Sequence, residues 1–105
     1  MYVIKISTHN PEACPGFVEK FKDAFLIAME NDERLAKKHN IKIIGAWVDS
    51  PGHTAFSIYD TPSMEELMEY SMEPEIMATM SFQTSVFRPL KTTKEVALSI
   101  KSHGK

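Results

Sequence analysis

Along residues 2–7 the chain alternates. Tyr2, Ile4 and Ile6 fall on one side, and Val3, Lys5 and Ser7 on the other. This is the period-two pattern of a strand. His9, Asn10 and Pro11 stop it with turn-forming residues. Two prolines and a glycine within residues 11–16 delay the next helix. From Phe17 to about Lys38 the period becomes helical. Phe17, Phe21, Phe25, Ala28 and Met29 make an apolar stripe that Leu35 and Ala36 resume. Lys37 and Lys38 sit in the last turn, where cations suit the helix dipole, and Asn40 suits a left-handed exit.

Residues 41–49 predict a second strand. Regular alternation puts Ile41, Ile43, Gly45 and Trp47 on one face and Lys42, Ile44, Ala46 and Val48 on the other. Ser50, Pro51 and Gly52 turn the chain into a third, antiparallel strand over 54–59. A second helix follows, with two candidate caps. Thr61 caps it with Pro62 at the first helical position, or Ser63 caps it with Glu66 three residues on. Its apolar positions are Met64, Leu67 and Met68, and Pro74 begins a further helical turn. Residues 82–88 predict a fourth strand, which Pro89 ends or marks as a sheet edge. Residues 92–102 predict a short C-terminal helix with Val96, Leu98 and Ile100, and 103–105 a frayed tail.

The order β-α-β-β-α-β is the ferredoxin-like split βαβ arrangement, an α+β fold. It predicts one four-stranded antiparallel sheet with the helices on one face, within a single domain over residues 1–105. The second strand is apolar on both faces, and the fourth sets Phe82 and Val86 against Phe87. Helices cover only one face of such a sheet. A second copy of the chain covering the other face is therefore expected, because two-fold dimers are the commonest assembly.

Composition narrows the partners. Net charge is −2 and charged residues make up 25%, with no basic block interleaved with aromatics, so nucleic acid is not an expected partner. Apolar runs are only a few residues long, so no membrane span is expected. The start of the chain alternates like a strand and lacks the pattern of an export signal. A single cysteine excludes an internal disulfide, and a reducing cytoplasm is the expected location.

The element order, the Gly-Ala-Trp of residues 45–47, the glycine-containing hairpin and the Phe-Arg-Pro of residues 87–89 resemble the dimeric α+β barrel superfamily. The resemblance covers roughly residues 2–90 and is greatest to small stand-alone members of unknown function. That superfamily includes antibiotic-biosynthesis and haem-degrading monooxygenases, stress-responsive barrel proteins, muconolactone isomerase and polyketide cyclases. The resemblance implies a ligand pocket between the sheet and its helices. It does not carry a reaction with it.

Haem-degrading relatives set an asparagine, a tryptophan and a histidine around haem. Asn10, Trp47 and His53 supply those residue types here. The family's histidine belongs to a helix, whereas His53 follows a turn, so haem is not expected, nor any other cofactor. His9 stands where the first strand leaves the sheet. An imidazole there suits proton transfer near neutral pH, and relatives that pair a histidine with a tyrosine make Tyr59 or Tyr70 its candidate partner. The alternative for His9 is a plain turn residue beside Asn10 and Pro11. Met64, Met68 and Met72 recur at helical spacing, with Met77 and Met80 beyond. Thioethers bind Cu(I), yet a methionine stripe reads better as malleable apolar pocket lining. Cys14 has no second cysteine and no visible base. The acidic run Glu65, Glu66, Glu69, Glu73 and Glu75 reads as the solvated side of the second helix. No metal site is expected.

The expected protein is a homodimer, with higher assembly open, that binds a small apolar or aromatic molecule between sheet and helices. Phe21, Phe25, Trp47, Phe56, Tyr59 and Met68 are the expected pocket lining, with Ile4, Trp47 and Phe56 facing the first helix. One alternative is a cofactor-independent monooxygenase, isomerase or cyclase using His9. Another is a structural or regulatory oligomer with a filled core.

Overall fold

The computed structural model describes residues 1–103. Strand β1 (Tyr2–Thr8) leads through a single 3-10 turn, Pro11–Ala13, to helix α1 (Glu19–Lys38). Strands β2 (Lys42–Asp49) and β3 (Thr54–Asp60) form a hairpin. Helices α2 (Met64–Ser71) and α3 (Pro74–Met77) follow, then strand β4 (Thr84–Leu90) and helix α4 (Thr93–His103). The strands make one antiparallel sheet in the order β2-β3-β1-β4. This is the ferredoxin-like α+β fold. Among the described residues no helix is long and apolar enough to cross a membrane.

Local chemistry explains the element ends. Phe17 is 85% exposed and lies outside α1, which begins two residues later than its stripe suggests. The Cys14 carbonyl accepts from both Phe17 N–H and Val18 N–H, so the chain closes a turn before the helix starts. At the other end Asn40 takes φ 59°. Its N–H donates to Lys37 and the Ile41 N–H to Ala36, a Schellman closure that tucks Ile41 into the core. Ser63, not Thr61, caps α2, its hydroxyl accepting from Glu66 N–H at 3.1 Å. Thr61 is buried and donates to the Ser63 carbonyl instead. β4 starts two residues beyond the expected start and runs through Pro89. A proline is tolerated there because β4 is an edge strand. Thr92 and Glu95 bond reciprocally at the start of α4, a capping box. Of the expected frayed tail, His103 closes α4 and residues 104–105 lie outside the described residues.

One irregularity reorders a face. Ile43 pairs with Tyr59 and Gly45 with Ile58, so Ile44 is the extra residue of a β-bulge. A bulge shifts the parity of everything beyond it. Ile43 and Ala46 therefore share the helix side, while Gly45 and Trp47 share the other. The unbroken alternation expected for residues 41–49 is corrected accordingly.

The sheet also turns the opposite way from expectation. Lys5, Ser7, Ala55, Ser57 and Tyr59 face α1, lining a space with Phe25 and Ala28. By alternation Ile4, Ile6, Phe56 and Ile58 lie on the far side, with Trp47 paired to Phe56. The expectation that Ile4, Trp47 and Phe56 oppose α1 is overturned. The more apolar face of β1 points away from the helices.

All but one of the buried apolar residues form one cluster, Val3, Ala28, Leu35, Ala36, Ile41, Tyr59, Leu67, Tyr70 and Ile76, with Phe82 outside it. Leu67 and Val3 are fully enclosed, each stabilising the fold by roughly 1.5–3 kcal/mol through burial. His39 ties the helices together. Its Nδ1 meets Glu66 at 2.8 Å and its Nε2 meets Glu73 at 2.6 Å, with Lys38 on Glu73 at 2.9 Å. Part of the acidic run is thus internal bracing, while Glu65 and Glu69 stay exposed.

Candidate functional site

Two spaces meet at Lys5, in the middle of β1. On one side a cavity of ≈ 70 Å³ is lined by Lys5, Phe25, Asp32, Tyr59 and Tyr70. On the other a cavity of ≈ 210 Å³ is lined by Lys5, Met68, Met72, Met77, Met80 and Phe87. Ile76 touches both. The first is too small for an organic ligand and sets polar groups within a largely apolar lining. The second is nearly all apolar, and unbranched thioethers let its wall adapt.

The groups around Lys5 are electrostatically unsettled. Removal from water lowers the Lys5 pKa below the ordinary lysine value. Burial raises the Asp32 carboxyl above its usual range, with the neighbouring Glu33 charge adding to it against backbone hydrogen bonds. Burial also pushes Tyr59 and Tyr70 up, so both phenols stay protonated. Their rings meet edge-on, with centroids 5.8 Å apart. Lys5 forms no ion pair among the described residues; its Nζ lies 5.9 Å from the Phe87 ring centre. A lysine in such a place has donors to offer and no protein acceptor in ion-pair contact.

His9 belongs to a different place. It lines an apolar cavity of ≈ 340 Å³ between α1 and the end of β2, with Cys14, Phe25, Leu26, Val48 and His53. Its Nε2 faces His53 Nδ1 at 3.1 Å, and the rings meet edge-on. The hairpin turn drives this meeting. His53 N–H donates to Ser50, Gly52 N–H donates to Asp49 Oδ1, and His53 takes φ 51°. Desolvation first, then the nearby His53, lowers the His9 pKa. Cys14 is half-buried and brings its sulfur into the same group.

The expected site residues therefore scatter. Tyr59 and Phe25 line the Lys5 cavity and Met68 the methionine cavity. Phe21 stacks on Phe82 at 5.6 Å. Trp47 and Phe56 stand on the far face of the sheet. His9 and Tyr59 line separate cavities. Sequence reasoning missed Lys5 and Asp32. A lysine inside an alternating strand was the available signal, but the face it shares with Val3 and Ser7 was not the one expected to meet the first helix. It also missed that His9, Cys14 and His53 converge, because a contact across 44 residues leaves no local pattern.

No known family's sequence profile matches the chain, and no curated protein is significantly similar in sequence. Solved structures do resemble it. An antibiotic biosynthesis monooxygenase is 13% identical with a TM-score of 0.53, over 88% of this chain and 100% of that one. A NIPSNAP family protein from Agrobacterium tumefaciens strain C58 is 12% identical with a TM-score of 0.52, over 89% and 95%. An uncharacterized NIPSNAP domain protein from Burkholderia xenovorans is 12% identical with a TM-score of 0.51, over 89% and 97%. These likenesses support the ferredoxin-like α+β fold. At such identities they speak for the fold alone.

Proposed function

We propose, starting from the dimeric α+β barrel fold, that this chain is a cytoplasmic homodimer that binds a small molecule with an apolar body and a polar head. The body occupies the methionine-lined space and the head meets Lys5. One observation carries the reading. A desolvated lysine without an ion-pair partner among the described residues sits between an apolar cavity and a cluster of polar groups. An unpaired charge in such a place is costly, and perturbed groups beside a pocket mark binding sites. A carboxylate, phenolate or carbonyl head complements Lys5.

Thermal shift with a panel of small aromatic and branched aliphatic carboxylates tests this reading. The expected result is stabilisation of the wild-type protein and none of Lys5→Met. Equal shifts in both proteins, or none in either, contradict it. The enzymatic alternative gains no support from the geometry, because the cavity of His9 has no tyrosine on its wall among the described residues.

The homodimer reading rests on the far face of the sheet. Trp47 is 56% exposed, and Ile44, Val86, Tyr2 and Leu90, spread over the sheet, are exposed too. Exposed apolar side chains across one sheet face mark an interaction surface. Helix α4 buries none of its residues, leaving Val96, Leu98 and Ile100 exposed. A second copy offers both surfaces a partner of matching chemistry.

A further inference from the structure

We propose that His9, Cys14 and His53 form a binding site for one thiophilic d10 metal ion, Cu(I) or Zn(II). Each residue brings a nitrogen or sulfur ligand atom within 4.8 Å of the other two. The His9 Nε2 to His53 Nδ1 distance, 3.1 Å, is close to the roughly 3.3 Å that separates two imidazole nitrogens on one tetrahedral ion. A metal needs the two imidazoles to move apart by a few tenths of an ångström, which half-buried loop residues allow.

Three separate segments build the site. His9 follows β1 and is fixed by its N–H donating to the His53 carbonyl at 3.2 Å. The 3-10 turn Pro11–Ala13 folds the chain back and delivers Cys14, whose N–H donates to Pro11. The β2–β3 turn delivers His53. Two imidazole nitrogens facing each other hold one proton between them at most without repulsion.

The wall selects the kind of ion. It carries no carboxylate: the other residues are Pro15, Gly16, Lys22, Phe25, Leu26, Val48 and Ser50. Hard cations such as Mg²⁺ and Ca²⁺ need oxygen ligands and are excluded. One thiolate with two imidazoles suits Cu(I) or Zn(II). Lys22 is the one charged side chain on the wall. It favours the neutral assembly of a thiolate with a monovalent ion, whereas a divalent ion leaves a net positive charge beside it. Zn(II) further requires a fourth ligand, which water supplies at the open side of the cavity. The second cluster of ligand-type residues, His39 with Glu66 and Glu69, is different. His39 is already engaged by Glu66 and Glu73.

Cys14 is the only thiol in the chain, so its chemistry reports on this site alone. The experiment alkylates reduced, metal-stripped full-length protein with iodoacetamide, without metal and with one equivalent of Zn(II) or, anaerobically, of Cu(I). The expected result is that the rate falls about tenfold or more with at least one ion, because a ligated thiolate is a poor nucleophile. Protection by Cu(I) alone identifies a three-coordinate site, and protection by Zn(II) one completed by water. His53→Gly removes one imidazole while suiting the positive φ of that position, and His9→Ala removes the other. Both are expected to abolish protection while circular dichroism shows the fold intact. An unchanged rate with both ions overturns the proposal. So does protection that persists in both histidine variants. This site is separate from the Lys5 cavity, and its test is independent of the ligand reading above.

Discussion

Lys5 and Trp47 carry the account at the residue scale, and each is in an unexpected place. Lys5 faces the helices, where it loses hydration without gaining an ion-pair partner among the described residues. Lys5→Met is expected to stabilise the ligand-free protein by an amount on the order of 1 kcal/mol, read by urea unfolding. A loss of stability instead means that Lys5 is a structural residue. Trp47 lies over Gly45: a Cβ there would come within 2.4 Å of the indole. Gly45→Ala therefore pushes the ring off its strand. As Trp47 is the only tryptophan, its emission spectrum reads the change directly, and an unchanged spectrum contradicts the packing described. The face that Lys5 occupies was not legible in the sequence. Alternation sorts β1 into two faces but does not say which one meets the helices. The more apolar side invited the wrong choice, because apolar content alone does not tell a face packed under helices from an open one.

At the element scale most of the fold was legible, because turn and cap chemistry is local. The strand and helix order, the left-handed Asn40, the Ser63 cap and the edge character of Pro89 all follow from short stretches of sequence. The bulge at Ile44 was not legible, since an inserted residue keeps the same alternating composition and only its partner strand reveals the shift. Two predictions belong here. Leu67→Ala removes a fully buried side chain of α2 and is expected to cost about 2–5 kcal/mol, against about 1 kcal/mol for Ser63→Ala at the cap, both by chemical denaturation. The His39 brace predicts a pH dependence. Hydrogen bonds to Glu73 and then Glu66 raise the His39 pKa, so the folded state holds the proton more tightly than the unfolded one. That stabilisation is complete below the ordinary value of 6.5 and is lost as pH rises through the raised one. Hydrogen bonds from His39 and Lys38 lower the Glu73 pKa. Its contribution is complete above 4.5 and is lost as pH falls through the lowered value. The stability gap between wild type and His39→Gln is therefore expected to be widest between these limits and to narrow in alkali. A gap that widens in alkali contradicts the brace.

At the scale of the whole molecule the chain has surfaces that one copy leaves open. Its extents are 56 × 31 × 17 Å, with α1, α2 and α3 on one side of the sheet and α4 lacking any buried residue. A charge at Trp47 or Ile6 is expected to convert a dimer to monomers in size-exclusion chromatography with light scattering while α1, α2 and the Lys5 cavity persist. The excess of apolar strand positions on which the proposed second copy rests was visible in the sequence. The proposed Lys5 site was not, because it depends on which side chains converge from β1, α1 and α2. The most direct test of the central claim is native mass spectrometry of the protein as purified, without added ligand. The account predicts a dimer carrying a discrete organic mass per chain that disappears in Lys5→Met. A monomer, or a dimer whose bound mass is the same in both proteins, contradicts it.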